Sequence, residues 1–307
     1  VLESTTYPGT TQELLVPRLD GKQWTMGQDL FVAFSPERVD PGNRYYNIQN
    51  TPKVVGGVTP SCLEVASTLY EAVVERVVPV SSPATAEMIK ILENTFRAVN
   101  IALVNEMAQI CHRLDIDIWE VIAAADTKPF GVMPFYPGPG IGGHCIPIDP
   151  LYLTWKMRNV GMRTRFIELA DTVNSGMPLY VVARIQDALN DRGKPLNGSE
   201  ILILGVSYKK DVADIRESTA LTIIQELQRR KARVSYHDPF VPKLTLVGGE
   251  QLGSVHLCEK ALQEADCVLV HTDHSAYDWS WIAEHARLVF DTRNVVPRRS
   301  ENKVLRL

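Results

Sequence analysis

The feature that most constrains the fold is the continuous apolar run EILILG at residues 200–205, which is typical of a strand buried on both faces of a parallel sheet. Apolar residues at helical spacing follow in residues 219–230. Three further strand patterns occur at residues 233–237, 265–271 and 288–291. Because strands that alternate with helices form parallel sheets covered on both faces, this part of the chain predicts a doubly wound, Rossmann-like α/β domain.

The first 83 residues show a similar alternation. Residues 30–34 and 53–57 are short apolar runs that end at proline or glycine, as strands do, and residues 61–74 have helical spacing. The chain begins with Val1 rather than methionine, and its opening residues indicate the end of a strand that runs into a turn. We therefore expect a first doubly wound domain that is truncated at its N-terminus.

Between these two regions the pattern is helical. Residues 85–125 place apolar side chains on one broad face, and a loop rich in glycine and proline occupies residues 128–147. A helix is expected to open at residues 149–150, and another covers residues 164–192 with a break or bend near Pro178. The expected division is a truncated α/β domain at residues 1–83, a central helical domain at 84–195 and a second α/β domain at 196–307.

Composition excludes several classes of function. The net charge of −4 over 307 residues gives no basic footprint for nucleic acid, and no apolar run is long enough to span a membrane. Five scattered cysteines without a CxxC pair favour a reducing, cytoplasmic setting and argue against zinc. His271 and His274 follow a predicted strand with no third ligand nearby in sequence, so we expect loop histidines and no metal site.

The segment PGPGIGGHCIPIDP at residues 137–150 is the most informative stretch for function. Gly138, Gly140 and Gly143 match the spacing GxGxxG. No buried strand precedes them and prolines interrupt them, so we reject a dinucleotide-binding fingerprint at this place. The glycines instead allow the backbone to approach a neighbour closely, or to adopt positive φ, just before Cys145.

Cys145 lies shortly before the helix expected at residues 149–150. The positive end of a helix favours a thiolate, which is the nucleophilic form of cysteine. The alternative is a small buried hydrophobic side chain, which is the common role of a free cysteine. The crowded loop favours the nucleophile, but these arguments leave both roles open.

Five motifs, taken in chain order, carry a resemblance to a known family: ESTTYPGTT (3–11), SPERVDPGN (35–43), AEMIKILEN (86–94), GGHCIPIDP (142–150) and YKKDVADIRES (208–218). They resemble five segments of the UDP-glucose/GDP-mannose dehydrogenase family, in the same order. The first two resemble the turn that closes the family's NAD domain and its substrate loop. The last three resemble the helix that carries a lysine and an asparagine, the active-site cysteine segment, and the loop that opens the nucleotide-sugar domain. That family begins with a strand and a GxGxxG loop for NAD, which this sequence lacks, so we expect a fragment.

The family's cysteine is a nucleophile, and the resemblance implies that role for Cys145. Oxidation of a primary alcohol to an acid removes two hydrides, and a cysteine can hold the intermediate aldehyde as a thiohemiacetal that becomes a thioester. Lys90 and Asn94 are four residues apart on a predicted helix and share a face. The resemblance implies that Lys90 assists proton removal and that both stabilise the oxyanion, whereas a solvated helix face is the simpler interpretation without it.

The resemblance implies roles for three more side chains. Glu37 is the expected base for the water that cleaves the thioester, and Thr6 is expected to hold a water near the reacting carbon. Asp149 is expected to position water or to handle protons, and it also fits the N-terminal cap of a helix. Glu37 and Thr6 occur in contexts that suit ordinary turn residues as well.

Binding residues follow from the same resemblance. Nucleotide-sugar contacts are expected at Arg38, Val39, Gly142 and Lys209, and contacts to the NAD cofactor at Ser4, Thr5 and Arg216. Residues 35–43 and 136–140 look most like the subgroup that acts on UDP-N-acetylglucosamine or UDP-N-acetylmannosamine. The family's central helix implies a homodimer, and residues 85–125 are its counterpart.

Three alternatives stay open from the sequence. The substrate of the same reaction could be UDP-glucose. The protein could be a two-electron alcohol or hydroxyacid dehydrogenase in which Cys145 is structural. It could also be a non-catalytic module for nucleotide-sugar binding or assembly, an alternative that the missing NAD fingerprint leaves open.

Overall fold

The structure is a computed structural model that describes residues 1–19, 23–39, 43, 45–297 and 303–307. The chain forms two compact units, Val1–Arg97 with Cys145–Glu168, and Ala98–His144 with Leu169–Leu307. Within the described residues, no helix is both long enough and apolar enough to cross a bilayer.

Helices and strands alternate at both ends of the chain, and helices alone occupy its middle. The α-helices are α1 (Val16–Leu19), α2 (Pro60–Glu71), α3 (Pro83–Arg113), α4 (Ile118–Asp126), α5 (Asp149–Arg158), α6 (Arg165–Asn190), α7 (Thr219–Arg229), α8 (Glu259–Glu264) and α9 (Trp279–His285), and a π-helical turn at Thr11–Leu15 precedes α1. The strands are β1 (Ala33–Phe34), β2 (Lys53–Gly57), β3 (Val77–Val80), β4 (Glu200–Leu204), β5 (Arg233–His237), β6 (Lys243–Thr245), β7 (Gln251–Gly253), β8 (Cys267–Val270), β9 (Val289–Asp291) and β10 (Val304–Arg306).

The first unit is built on a small mixed sheet in the order β1-β2-β3, in which β3 is parallel to β2 and β1 is antiparallel to it. Leu2 adds a parallel bridge to Phe34, so the opening residues lie beside β1. Helix α2 begins after Thr59, whose hydroxyl accepts the N–H of Cys62 at 3.1 Å. A capped helix against parallel strands is the half-Rossmann pattern that the sequence predicts.

The second unit contains a parallel five-stranded sheet in the order β10-β9-β8-β4-β5. The interior strand β4 buries Ile201 and Ile203 in one hydrophobic cluster and Leu202 and Leu204 in another. Successive side chains of a strand point to opposite faces, so this alternation shows that β4 is covered on both sides. The predicted α/β class with Rossmann-like sheets is confirmed.

Residues 85–125 are helical, as predicted, but they form two helices and not one. Helix α3 ends at Arg113, and α4 starts after Asp117, whose carboxylate accepts the N–H of Trp119 at 2.9 Å. Asp115 between them has φ of +55°, a left-handed conformation that ends a helix. Helix α6, in contrast, continues through Pro178 as a single element from Arg165 to Asn190.

Candidate active site

The candidate site of the first unit begins at the ends of neighbouring parallel segments. Leu2 pairs in parallel with Phe34, the last residue of β1. Thr5 follows the first of these segments and Glu37 follows the second. Ligands of α/β sheets bind outside the carboxyl ends of parallel strands, so both residues leave the sheet at the edge where chemistry is expected.

Three predicted catalytic residues, Asn94, Cys145 and Lys90, and the predicted cofactor residue Thr5 surround one buried carboxylate, that of Asp149. The Nδ2 of Asn94 donates to Oδ2 of Asp149 at 2.6 Å. The side chains of Thr5 and Cys145 also hydrogen-bond to Asp149, and the ammonium of Lys90 acts on it through its charge. Lys90 and Asn94 lie one turn apart on α3, which explains why both reach the same group.

Burial dominates the electrostatics of Asp149, whose side chain is 3% exposed. Loss of hydration raises the pKa of this carboxyl to about 6, although the charge of Lys90 and the hydrogen bonds from Asn94 and Thr5 oppose the rise. Neutral donors stabilise a carboxylate less than a bound cation does. Asp149 therefore has the pKa of a group that can exchange a proton near neutral pH.

The thiol of Cys145 is half-buried, and its pKa is raised. Burial is the largest cause, the negative charge of Asp149 adds to it, and the positive charge of Lys90 acts in the opposite direction. The expectation that a helix end favours the thiolate is therefore wrong for the protein without ligand, because burial and the nearby carboxylate outweigh it. A base is needed to deprotonate this thiol, and Asp149 is in hydrogen-bond contact with it.

The backbone explains how Cys145 and Asp149 come together. The carbonyl of Cys145 accepts the N–H of Asp149 at 2.8 Å and that of Ile148 at 3.2 Å, in the turn that starts α5. Asp149 is the first residue of α5, and the cap position is held by Ile148 without a side-chain hydrogen bond. The Asp149 carboxylate therefore does not cap α5; it accepts a hydrogen bond from Asn94 instead.

The substrate-loop residues have protein partners in this structure. The carboxylate of Glu37 accepts the N–H of Val39 at 2.7 Å and lies 3.5 Å from Nζ of Lys53. The guanidinium of Arg38 contacts Glu93 at 2.7 Å, and Glu93 is the neighbour of Asn94 on α3. The loop is thereby tied to the helix of the site, a connection that the sequence does not reveal. Residues 40–42 of the motif lie outside the described residues.

The opening segment differs in detail from the expectation. The sequence predicts Thr6 beside the reacting carbon, but the Thr6 hydroxyl bonds to that of Thr10 at 2.6 Å while Thr5 contacts Asp149. Ser4 is exposed. The turn is held by a side chain that the motifs do not single out, the fully buried Glu87, which accepts the N–H and hydroxyl of Thr11 at 2.9 and 2.7 Å.

In the second unit, the glycines before Cys145 pack against the loop of residues 208–218. A Cβ on Gly142 would lie 2.8 Å from the carbonyl oxygen of Glu217 and from Cβ of Tyr208. Gly143 has φ of +90°, and a Cβ there would lie 2.9 Å from the Tyr208 ring. Close approach and positive φ both occur, as the sequence predicts, but the neighbour is protein. The segment follows no strand, which agrees with the rejection of a dinucleotide fingerprint.

Lys209 and Arg216 lie on that same loop. The carbonyl of Lys209 accepts a hydrogen bond from the Ser207 hydroxyl at 2.8 Å. The guanidinium of Arg216 forms a forked ion pair with Asp214, through Nε at 3.0 Å and Nη2 at 2.7 Å. The loop follows β4, the strand at which the chain order of the sheet reverses, and ligands of doubly wound sheets bind at that point.

The two histidines after β8 are buried in loops. His274 has no exposed surface, and its Nδ1 accepts the N–H of Asp211 at 2.9 Å. Its Nε2 therefore carries the proton and lies 3.1 Å from Asp238. Nε2 of His271 lies 2.9 Å from the Thr219 hydroxyl. Among the residues that the structure describes, no three histidine, cysteine or acidic side chains are grouped as metal ligands.

Comparisons with known proteins agree with this geometry. Residues 1–74, 84–176 and 202–298 match the NAD binding domain, the central domain and the UDP binding domain of the UDP-glucose/GDP-mannose dehydrogenase family. The match of residues 1–74 to the NAD binding domain confirms NAD as the cofactor.

Relatives cover almost all of this chain. The UDP-N-acetyl-D-mannosamine dehydrogenase of Methanococcus maripaludis is 34% identical over 96% of this chain and 66% of that protein. The UDP-N-acetyl-D-glucosamine 6-dehydrogenase of Pseudomonas aeruginosa is 36% identical over 91% of this chain and 63% of its own length. This chain thus spans slightly less than two thirds of either protein.

Solved structures show the same fold. The UDP-D-ManNAc dehydrogenase of Pyrococcus horikoshii superposes with a TM-score of 0.86 at 32% identity, covering 99% of this chain and 71% of that one. A UDP-N-acetyl-mannosamine dehydrogenase from Staphylococcus aureus superposes with a TM-score of 0.82 at 33% identity, covering 99% and 69%. The motifs, the fold and these matches together place the chain in the UDP-glucose/GDP-mannose dehydrogenase family.

Proposed function

We propose that this protein oxidises a UDP-N-acetylhexosamine at C6 to the uronic acid in an NAD-dependent, four-electron reaction. Membership of the family supports the reaction class, and relatives named for UDP-N-acetylmannosamine and UDP-N-acetylglucosamine support the sugar. NAD would supply the oxidant when bound: two NAD molecules, one after the other, would each take one hydride from C6.

The observation that carries the proposal is the grouping of Cys145, Asn94 and Lys90 around the buried carboxylate of Asp149. A structural cysteine has no need of an adjacent proton acceptor with a pKa of about 6 or of a nearby ammonium. A nucleophile with a raised pKa needs both, one to take its proton and one to stabilise negative charge on the substrate.

In the first oxidation, the C6 hydroxyl loses a proton and C6 loses a hydride, which leaves an aldehyde. Asp149 accepts that proton, and the charge of Lys90 stabilises the oxygen from which it departs. Asp149 then releases that proton to solvent and is ionised again. In the second oxidation, the Cys145 thiol gives its proton to Asp149, and the sulfur bonds to C6 as the π bond of the aldehyde carbonyl breaks. The resulting oxyanion is stabilised by Lys90 and by the amide of Asn94, and the thiohemiacetal loses a hydride to become a thioester.

Hydrolysis of the thioester requires a base for water, and Glu37 is proposed for that step. Its carboxylate lies 3.5 Å from Nζ of Lys53, shortly after the end of β1. Water attacks the carbonyl carbon, Glu37 takes the water's proton, and the Cys145 sulfur leaves and recovers its proton from Asp149. Thr6 is proposed to hold that water.

The binding roles stay proposals as well. The nucleotide sugar is assigned to the Arg38–Val39 backbone, Gly142 and Lys209, and NAD to Ser4, Thr5 and Arg216. The exposed loop position and planar fork of a guanidinium suit phosphate recognition, and the fork of Arg216 binds Asp214 in this structure. A phosphate would compete with Asp214 for that fork.

We extend the proposal to assembly and setting. Helix α3 exposes a stripe of large apolar side chains, with Leu92 64% and Leu103 54% exposed, and Phe96 and Ile110 on the same stripe. Such a stripe on a 31-residue helix supports a homodimer formed along it.

The free cysteines support a reducing, cytoplasmic setting. The three domains are proposed at residues 1–83, 84–195 and 196–307.

The deciding experiment replaces the nucleophile in the full-length protein. We expect Cys145→Ser to reduce uronic acid formation by about 1000-fold or more, measured by NADH release and product chromatography. Cys258→Ser, another half-buried cysteine, is the matched control and should retain activity. Unchanged acid formation in Cys145→Ser would exclude the mechanism. Faster turnover of UDP-glucose than of both N-acetylhexosamines would refute the substrate assignment.

A further inference from the structure

Lys53, the first residue of β2, places a largely buried amino group between two carboxylates. Its side chain is only 12% exposed, and a lysine is rarely buried without a partner. Nζ of Lys53 lies 2.9 Å from Oε1 of Glu3 and 3.5 Å from Oε2 of Glu37. The three residues belong to the first compact unit. A residue without a role in the proposed reaction thus contacts Glu37, the base proposed for thioester hydrolysis.

The register of the first sheet explains why Lys53 reaches Glu37. Strands β1 and β2 are antiparallel, with Phe34 opposite Gly56. Continued three residues beyond Phe34, the same register sets Glu37 opposite Lys53. Directly opposed residues of an antiparallel pair point to the same face of the sheet, with their Cβ atoms about 5 Å apart. The strand pairing therefore brings a basic and an acidic side chain together just past the end of β1.

Two further neighbours hold the amino group of Lys53 in place. The ring of Tyr70 on α2 lies with its centroid 5.2 Å from Nζ, within the range of a cation–π contact. The Tyr70 hydroxyl donates to Oε1 of Glu3 at 2.6 Å, the same oxygen that Lys53 contacts. Burial acts to raise the pKa of Glu3, but the hydrogen bonds from Tyr70 and Lys53 and the charge of Lys53 outweigh it and lower that pKa. Glu3 is therefore ionised near neutral pH and anchors Lys53.

The carboxylate of Glu37 has a partner for each of its oxygens. Oε1 accepts the N–H of Val39 at 2.7 Å, and Oε2 faces Lys53. The side chain of Glu37 is 50% exposed, so these two contacts, and not close packing, select its rotamer. The two oxygens of a carboxylate offer about four acceptor positions, and the two contacts use one on each oxygen. A position on each oxygen is left for the proton of a water.

We propose that Lys53 is a positioning residue for thioester hydrolysis, and that it holds the Glu37 carboxylate in the orientation from which it takes the proton of water. The inference rests on the proposed function. In that step the bond between the water oxygen and C6 forms, the bond between C6 and sulfur breaks, and Glu37 takes the proton. Lys53 acts through Glu37 and has no contact with the reacting atoms of its own. The two hydride steps do not use Glu37, so loss of Lys53 should slow hydrolysis alone.

The test replaces Lys53 in the full-length protein and measures hydrolysis separately from oxidation. Lys53→Met keeps an unbranched stem and removes the amino group. The protein is mixed with NAD and UDP-N-acetylhexosamine, substrate is removed by rapid gel filtration, and intact-protein mass spectrometry follows the decay of the UDP-uronoyl adduct. We expect decay to be roughly 10- to 100-fold slower than in the unchanged protein, because a small displacement of a base costs rate steeply. Lys53→Arg keeps the charge and should recover most of the rate.

A matched control separates positioning from a general structural role. Lys156 belongs to the same unit, contacts Glu13 at 2.5 Å and lies 4.8 Å from the ring centroid of Tyr7. Lys156→Met therefore removes the same kinds of contact and should leave adduct decay within about twofold of the unchanged protein. Thermal melting of every variant shows whether a slower step follows from a loss of folded protein. Lys53→Gln, a polar replacement, gives the same test if Lys53→Met melts below the assay temperature.

A double-mutant cycle with Glu37→Gln distinguishes failure of this inference from failure of the proposed function. If Lys53 acts through Glu37, the double variant should lose its adduct no more slowly than Glu37→Gln alone. Multiplicative effects of the two changes, or rapid decay in Lys53→Met beside slow decay in Glu37→Gln, would overturn the role of Lys53 alone. Rapid decay in both single variants would refute Glu37 as the base and Lys53 with it. Acid formation without an adduct in any variant would refute the covalent reaction itself.

Discussion

Two aspartates in this protein are equally buried, but their pKa values are shifted in opposite directions. Asp149 and Asp238 each expose only 3% of their surface. Burial raises the pKa of Asp149 to about 6, whereas the pKa of Asp238 is lowered despite burial. The same desolvation acts on both carboxyls, so the difference lies in their partners.

The partners of Asp238 compensate its charge. Four backbone N–H groups donate to it, from Val206, Ser207, Phe240 and Val241, and the ring of His274 lies 3.1 Å from it. Asp149 has neutral donors from Asn94, Thr5 and Cys145 and one ammonium that acts through space. A satisfied buried carboxylate stabilises the fold, and an under-compensated one is available for proton transfer.

The largest expected effect comes from exchanging each aspartate for asparagine. Asp149→Asn should reduce kcat by about 10²- to 10⁴-fold, because an amide cannot accept a proton, with little change in stability. Asp238→Asn should lower the free energy of unfolding by about 3 kcal/mol, because it leaves His274 and backbone donors with a poorer acceptor. Steady-state kinetics and urea unfolding measure the two.

Loss of stability in Asp149→Asn and loss of kcat in Asp238→Asn would contradict these roles of the two aspartates. A large loss of stability in Asp149→Asn with retained kcat would show that this carboxylate is structural. A stable, inactive Asp238→Asn would place the second unit's carboxylate in the chemistry.

The pH dependence sharpens the contrast. Asp149 must be ionised to accept a proton, so kcat/KM should fall about tenfold per unit below a pH of about 6. The hydrogen bond from Asn94 lowers this pKa, so Asn94→Ala should move the acidic limb to higher pH. A limb that does not move in Asn94→Ala would show that another group controls it.

Smaller effects, of opposite sign, are expected on the alkylation rate of the Cys145 thiol when Asp149 or Lys90 is replaced. The charge of Asp149 raises the pKa of Cys145 and the charge of Lys90 lowers it. At pH 7.5, Asp149→Asn should therefore speed alkylation of Cys145 and Lys90→Met should slow it, each by roughly 3- to 10-fold. Both variants should nevertheless turn over more slowly. Changes of the same sign in alkylation would contradict the proposed charge arrangement.

The smallest effect on stability is expected at Ser207, which contacts His274, a partner of Asp238. The hydroxyl of Ser207 lies 3.2 Å from Nε2 of His274 and donates to the carbonyl of Lys209 at 2.8 Å. Ser207→Ala should lower the free energy of unfolding by about 1 kcal/mol and leave kcat within about twofold. Urea unfolding detects this loss, and a strong change in kcat would connect this network to catalysis.

Periodicity and apolar runs predict most of the fold. Strands β2, β4 and β5 have the expected positions to within one residue, because a buried strand has a continuous apolar signature. The break between α3 and α4 is not predicted, because the positive φ of Asp115 leaves the apolar spacing undisturbed. The short strands β6, β7 and β10 are not predicted either, since three residues carry too little pattern.

The candidate site is predicted less completely. The motif at residues 142–150 and the four-residue spacing of Lys90 and Asn94 identify the members of the cluster. They cannot show that burial and Asp149 outweigh Lys90 at the sulfur, because desolvation depends on the packing of distant segments. Nor can they show that Glu87 or Glu93 holds the neighbouring loops, since those contacts join residues 76 and 55 positions apart.

Intact-protein mass spectrometry tests most directly whether the Cys145 sulfur becomes covalently bonded to C6 of the sugar. In Glu37→Gln, supplied with NAD and UDP-N-acetylhexosamine, hydrolysis should stall, and the protein should gain the mass of the UDP-uronoyl group on the peptide that contains Cys145. The adduct should be absent from the Cys145→Ser/Glu37→Gln double variant. Acid production by the Glu37→Gln protein without any such adduct at any time in the reaction would contradict the account.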